Sequence, residues 1–276
     1  MKISCLLYRL KRMALQGASI KDKAKLCIIS VLWALTGIKL PVIATLSLRT
    51  ANIMTRGTVI RYRGLRYRLI DAHTVHYFLN YFEPWIWQYL ESLKQDDVFF
   101  DVGAHIGLYS IYVARFKACK VIAIEPHPEN YKLLVSNIRL NNLENIIALN
   151  IAAWNKNSKL PLFVGDSSAT HTLISRRGKG KCIWVKAKRL DDVLRELNVN
   201  KVSLVKIDVE GAEMEVLEGL YDTLRHHRSR LIIEVWRNNM DKILSFLKNL
   251  NYLVSKIAGS VSRDLLYVYA YPYHVH

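Results

Sequence analysis

From residue 98 onward the chain alternates short apolar runs with amphipathic stretches, and this alternation restricts its fold more than any other feature. VFFDVG (98–103) leads into the helical pattern GLYSIYVARF (107–116), and KVIAIEP (120–126) into ENYKLLVSNIRLN (129–141), followed by NIIALNIAA (145–153). An irregular insertion comes next, with the hairpin candidates KLPLFVG and KCIWVKAK, and then a short helix, DDVLREL (191–197). The series resumes with VSLVKIDV (202–209), the helix 212–227, RLIIEVW (230–236) and the helix 239–250, and closes on the strand candidates YLVSKI and LLYVYAY. Apolar strands alternating with amphipathic helices predict an α/β fold whose largely parallel sheet is covered on both faces. Ligands of such sheets bind at the carboxyl ends of the strands, near the point where the strand order reverses.

Each predicted strand ends on a residue with usable chemistry: Asp101 and Gly103, Glu125, Asn150, Asp208 and Glu210, and Glu234. Gly103 and Gly107 suit a tight strand-to-helix turn that a ligand can approach closely. The spacing G-A-H-I-G puts His105 where a dinucleotide loop needs its second glycine, which disfavours NAD. Glu125 follows Asp101 at close to the interval usual for the acid that grips ribose hydroxyls. An acid before the glycine turn, an imperfect phosphate loop and a ribose acid together favour an adenosyl cofactor without phosphate, with S-adenosylmethionine first among them.

The order DVGAHIGLYS, IEPHPENYKLLVSNIRLN, LNIAAWN, RLDDVL, LVKIDVEGAEMEVLEG and LIIEVW resembles the FkbM family of S-adenosylmethionine-dependent methyltransferases, from about Val98 to Trp236. KIDVEGAEMEVLEG is its most specific element. The resemblance implies a Rossmann-like class I methyltransferase fold, with a mostly parallel seven-stranded sheet whose last strand is antiparallel. It also implies O-methylation of a hydroxyl on a glycan, a lipid-linked sugar or a related metabolite. By position, Asp101, Gly103 and Gly107 match the first cofactor motif, with His105 where the family often has asparagine. Glu125 matches the ribose acid, Asn150 and Ile151 to Ala153, with Ala152 between them, border the base, and Asp208 lies beside the methionine moiety and the reacting centre.

Methyl transfer from a sulfonium is an in-line displacement, so the protein must align the acceptor oxygen and take its proton. Asp208, Glu210, Glu213, Glu234 and His171 are the candidate bases or orienting groups. Glu210 and Glu213 have a second reading as first-turn acids that favour a helix dipole. No ligand spacing argues for a metal.

The first 94 residues form a basic appendage ahead of a methyltransferase domain expected over 95–276. Of the net charge of +17, residues 1–70 carry +13 and the remainder +4. An apolar helix is expected over 26–48, an Arg-Tyr hairpin over 58–69 and a helix over 72–94. The run from Leu26 to Ile38 is too short to span a bilayer, and Pro41 interrupts any longer one. Two readings stay open for it: a helix packed on the catalytic domain, or an interfacial segment in which residues 1–50, with Arg9, Lys11, Arg12, Lys21, Lys23 and Lys25, meet an anionic membrane. Cys5, Cys27, Cys119 and Cys182 form no C-x-x-C pair, which predicts a reducing, cytoplasmic setting. Two alternatives stand beside the methyltransferase of small acceptors. One is a nucleic-acid methyltransferase using the arginine-rich hairpin, which the weak charge of the catalytic half disfavours. The other is a membrane-docked binding protein without chemistry.

Overall fold

A computed structural model describes residues 11–12, 15–36, 40–78, 82–174, 181–257 and 264–273. Cys5, Arg9, Ile38 and Lys39 lie outside the described residues.

Seven strands form the central sheet: β3 (Val98–Val102), β4 (Lys120–Ile124), β5 (Ile146–Leu149), β9 (Leu204–Ile207), β10 (Arg230–Trp236), β11 (Tyr252–Lys256) and β12 (Leu265–Pro272), in the order β11-β12-β10-β9-β3-β4-β5. The neighbours from β10 through β5 pair in parallel, whereas β12 runs antiparallel to both β10 and β11. The sequence order reverses at β3, which lies between β4 and β9, so the crevice at the carboxyl ends of β3 and β9 is the switch point.

Period-two alternation sends neighbouring residues to opposite faces. Phe99, Val121, Ala123 and Leu204 pack on one side, and Phe100, Ile122, Ile124 and Val205 on the other. The second face is covered by α6 (Leu190–Glu196), α7 (Glu213–Gly219), α8 (Tyr221–His226) and α9 (Met240–Asn249). The first carries α4 (Leu108–Phe116) and α5 (Pro128–Leu140), together with the N-terminal region, whose Leu26, Ile29, Tyr67, Phe78, Ile86 and Leu90 are buried in the same core.

That region departs from the expected helices. The stretch 26–48 divides into α1 (Ile20–Leu35) and α2 (Pro41–Thr55), because proline lacks an N–H and is suited to a first helical position, where Pro41 starts α2. Among the described residues, the stretch 72–94 holds a 3₁₀ turn (Thr74–Phe78) and α3 (Trp87–Glu91). Pro84 bars its predecessor from helical angles, and Glu83 has φ +42°. Between α2 and this segment, β1 (Val59–Tyr62) and β2 (Leu65–Arg68) form an antiparallel hairpin. It turns at Arg63 (φ +50°) and Gly64 (φ +78°), the left-handed pair that a two-residue hairpin requires.

The expected strand 145–153 is two strands. β5 stays in the main sheet, while β6 (Ala152–Trp154) joins β7 (Ser158–Phe163) and β8 (Cys182–Arg189) in a three-stranded sheet, order β6-β8-β7, beside the crevice. Likewise the expected helix 212–227 is divided between α7 and α8. Gly219 closes α7, where a Cβ would stand 2.2 Å from the Trp154 carbonyl oxygen.

Candidate active site

The turn from β3 to α4 builds the first half of the site. The amides of Gly103 and Ala104 donate to the Ile124 carbonyl at 3.0 and 2.8 Å, which ties the turn to the end of β4. Gly103 (φ +87°) allows β3 to approach β9: a Cβ there would lie 1.8 Å from the Asp208 carbonyl oxygen. Gly107 (φ +88°) caps α4, and its missing Cβ makes room for Leu134 of α5.

This turn delivers the His105 amide to Glu125. The Glu125 Oε2 accepts that N–H at 2.9 Å, and its Oε1 accepts from the His127 amide at 2.9 Å and from Asn130 Nδ2 at 3.3 Å. Burial pushes the Glu125 carboxyl up to about 7, and these donors pull against the rise. Asn130 also donates to the Ser168 carbonyl at 2.8 Å, while its own buried Oδ1 has no partner among the described residues. An acceptor of this kind at a cavity wall is what an adenosyl group's hydroxyl or amino donors require.

A cavity of about 390 Å³ opens at the switch point. Gly103, His105, Glu125 and Asn130 line one end, and Val102, Ile124, Ala152, Ala153, Leu162 and Leu173 supply apolar wall. The size and the mixture of apolar wall with a few convergent polar groups suit a small-molecule site.

Asp208, Glu210, Glu234, Glu83 and Tyr267 line the other end, and Tyr77 lines the cavity with its ring 5.5 Å from that of His105. Lys206, almost wholly buried, reaches along β9 to Asp208 Oδ2 at 2.7 Å and lies over the Tyr109 ring. Burial works against its charge, but Asp208, Glu83 and Asp101 together hold the ammonium above its ordinary range. One carboxylate oxygen each from Glu83, Asp208 and Glu234 lie within 4.8 Å of one another. Tyr109 donates to Glu83, and Tyr267 contacts both Glu83 and Glu234. A phenol has a single proton, so one of the two Tyr267 contacts needs a proton from the carboxyl side. Burial, reinforced by Asp208 and Glu83, raises Glu234 well above the carboxylate range and makes it the holder of that proton. The resulting chain runs from the Glu234 acid through Tyr267 to Glu83.

The expected site residues divide between cavity and scaffold. Gly103, His105, Glu125, Ala152, His171, Asp208, Glu210 and Glu234 all line the cavity. Asp101, Gly107 and Asn150 do not. Asp101 is buried behind the wall, accepting from Ser110, and its carboxyl is raised by burial. Asn150 is exposed and braces the end of β4 by donating to the Glu125 and Pro126 carbonyls at 2.8 and 3.0 Å. Glu213 is turned inward, accepting from the Gly211 amide and from Asn239.

His171 comes from the loop between β7 and β8. Its ring lies 4.1 Å from that of His127, and Nδ1 accepts from the Gly165 amide, which leaves the proton on Nε2. Burial and the neighbouring His127 and His105 depress it to about 4, and burial depresses His105 to about 4 as well. The same loop is tied down by Ser168, whose amide donates to Asp71 and whose hydroxyl meets His105 Nε2 at 2.9 Å.

Glu83, Lys206, Asn130 and Tyr267 were not among the expected site residues. Two of them carried a signal: Glu83 is the only acid in the aromatic-rich run from Ala72 to Leu90, and Lys206 interrupts an otherwise apolar strand. An isolated charge in apolar surroundings is expensive unless it is paired, and the structure supplies the partners.

The family described as Methyltransferase FkbM domain matches residues 101–254. Methyltransferase sdnD of Sordaria araneosa is 30% identical over 179 residues, 53% of this chain and 69% of that protein. Hexuronic acid methyltransferase AglP of Haloferax volcanii is 30% identical over 137 residues, 49% of this chain and 55% of that protein. Among solved structures, the methyltransferase FkbM from Methylobacillus flagellatus KT has the same fold, with a TM-score of 0.50 at 16% identity over 98% of this chain and 60% of that one. The matched domain begins at the end of β3 and takes in the ends of β4, β9 and β10 that face the cavity, leaving Glu83 and Tyr267 outside it. On that match the chain belongs to the FkbM family of methyltransferases, which use S-adenosylmethionine as methyl donor.

Proposed function

We propose that the protein O-methylates a hydroxyl of a glycan, a lipid-linked sugar or a related metabolite. The observation that carries this reading is the carboxyl and phenol cluster at one end of the cavity, opposite the turn that holds Glu125. When bound, S-adenosylmethionine supplies an electrophilic methyl group on a sulfonium. Glu125 would accept its ribose hydroxyls, Asn130 Oδ1 would be a further acceptor, and Ala152, Ala153 and Leu162 would supply apolar wall beside the base. Asp208, fixed by Lys206, accepts the hydrogen bond of the acceptor hydroxyl and aims its oxygen. The proton of the acceptor hydroxyl would pass to the carboxylate cluster. Positioned acid–base groups of this kind contribute about 10²–10⁴-fold. His171, depressed to about 4 by burial and its histidine neighbours, lines the cavity as a neutral ring from the loop between β7 and β8. Glu210 at the cavity wall orients the acceptor.

A sugar acceptor gains support from the relative that methylates a hexuronic acid. The nucleic-acid alternative loses ground because two of the four hairpin arginines, though exposed, already have partners on the protein. Arg63 lies 4.1 Å over the Trp87 ring, and Arg66 donates to the Leu140 carbonyl. Calorimetry with S-adenosylmethionine, followed by mass spectrometry of glycans and lipids from cells with and without the gene, tests the reading. The expected result is binding, together with loss of one CH₂ increment from a hydroxylated product. No binding, or an increment lost from RNA instead, would remove it.

A further inference from the structure

We infer that α1 and α2 form a docking surface for an anionic phospholipid bilayer. Each helix commits one face to the protein and leaves another uncovered. In α1, Leu26, Ile29 and Ser30 are buried, and in α2 Ser47, Ala51 and Thr55. Opposite them, Ile20 (87% exposed), Ile28 and Val31 fall on one face of α1 together with Ala24. On α2, Val42 (79%), Leu46 (65%) and Ile53 (74%) form a stripe with Arg49 at helical spacing. Single exposed apolar residues are ordinary, but stripes repeated along two adjacent helices mark an interaction surface. Val42, Thr45, Leu46 and Arg49 line a groove in which aliphatic walls stand beside one guanidinium, a combination that suits an acyl chain below a phosphate.

Charge selects the occupant. Lys21, Lys23 and Arg49 are exposed on these helices, Arg56 at the end of α2 is paired with Glu129 at 4.0 Å, and between Asp22 and Asp71 the sequence holds no acid. Asp22 itself is turned to the protein, accepting from the Ser19 hydroxyl and the Val59 amide. Two copies meeting through this face would set basic residues against basic residues. Nucleic acid would leave the aliphatic stripes uncovered. An anionic bilayer satisfies both features, because its interface accepts the apolar stripe and its headgroups attract the lysines. At 1.5 Å per residue α1 is about 24 Å long, short of the roughly 30 Å hydrocarbon core, so these helices lie in the interface and do not cross it. This inference stands independently of the methyl acceptor.

Flotation of the full-length protein on phosphatidylcholine vesicles, with and without phosphatidylglycerol, tests it. The protein should float only with the anionic vesicles, and less so at high salt. Leu46→Glu and Ile53→Glu should each weaken binding about tenfold or more, and Lys23→Gln about fivefold. Leu253→Glu, on exposed β11 at the far edge of the sheet, should change nothing. Binding of S-adenosylmethionine reports that each variant is folded. Flotation unaffected by Leu46→Glu, flotation on neither vesicle, or a dimer that Leu46→Glu dissociates would overturn the inference.

Discussion

The two ends of the cavity are built by different means. At the Glu125 end, partners are close in sequence and largely backbone: the amides of His105 and His127 hold the carboxylate. At the Asp208 end, side chains meet side chains across long distances in sequence, with Glu83 and Tyr267 separated by 184 positions. The first end is therefore encoded by two neighbouring strand ends and the turns that follow them, twenty residues apart. The second exists only once the N-terminal segment has docked on the sheet and β12 has inserted between β10 and β11.

The variant that should disturb both ends is Gly103→Ala, because Gly103 is where β3 and β9 meet. A Cβ 1.8 Å from the Asp208 carbonyl oxygen, at φ +87°, forces the strand ends apart. A destabilisation of about 3 kcal/mol or more is expected in denaturant unfolding, since strained φ and backbone overlap act together. Gly107→Ala tests the same region away from the cavity, where the added Cβ meets the flexible end of Leu134, and its cost should be smaller.

Glu83→Gln should damage the acid end alone. It keeps the shape but removes a carboxylate that accepts from two tyrosines and takes part in proton transfer. Methyl incorporation from labelled S-adenosylmethionine into glycan and lipid extracts should fall about a hundredfold or more. Cofactor affinity measured by calorimetry should stay within about threefold. Equal losses in both measurements would mean that the two ends are one cooperative unit.

Much of this division could be read from the sequence, and the reasons differ by residue. The sheet was legible because strands buried on both faces must be apolar throughout, and because residues at their carboxyl ends converge. Position at a strand end does not say which way a side chain points. Asp101, Gly107 and Asn150 all sit at the expected turns yet face α4, α5 and the edge of β4. The helix expected over 72–94 failed at Pro84, and that same break places Glu83 in the cavity. Tyr267 was hidden because an alternating strand such as LLYVYAY gives no sign of which tyrosine meets a carboxyl group.

Glu125→Ala isolates the other end. Losing an ionic acceptor of ribose hydroxyls should cost about 1.5–3 kcal/mol, a ten- to hundredfold loss of S-adenosylmethionine affinity. The amides of His105 and His127 would also be left without their acceptor, so some loosening of the turn is expected in hydrogen exchange. The acid cluster should remain intact, visible as an unchanged infrared carboxylic-acid band from Glu234.

The smallest expected effect is the pH dependence of cofactor binding, and it separates the two ends without changing the protein's shape. Glu125 is raised to about 7 in the ligand-free protein, so at pH 6 most of it carries a proton and at pH 8 most of it is ionised. The ionised form accepts both ribose hydroxyls, so affinity should rise with pH and one proton should be released on binding below about 7. Between pH 6 and 8 the gain is roughly tenfold. The titratable groups that face Glu125 do not obscure this. His105 and His171 are depressed to about 4 and are neutral across the window, and burial lowers His127 as well. Glu234 is raised well above the carboxylate range by burial and its acidic neighbours, and it sits with Glu83 and Asp208, not beside Glu125. Glu125→Gln should therefore flatten the calorimetric pH profile, and Glu234→Gln should leave its slope in place. A slope that survives Glu125→Gln and disappears in Glu234→Gln would transfer the titration to the acid end and reverse the assignment of the two halves.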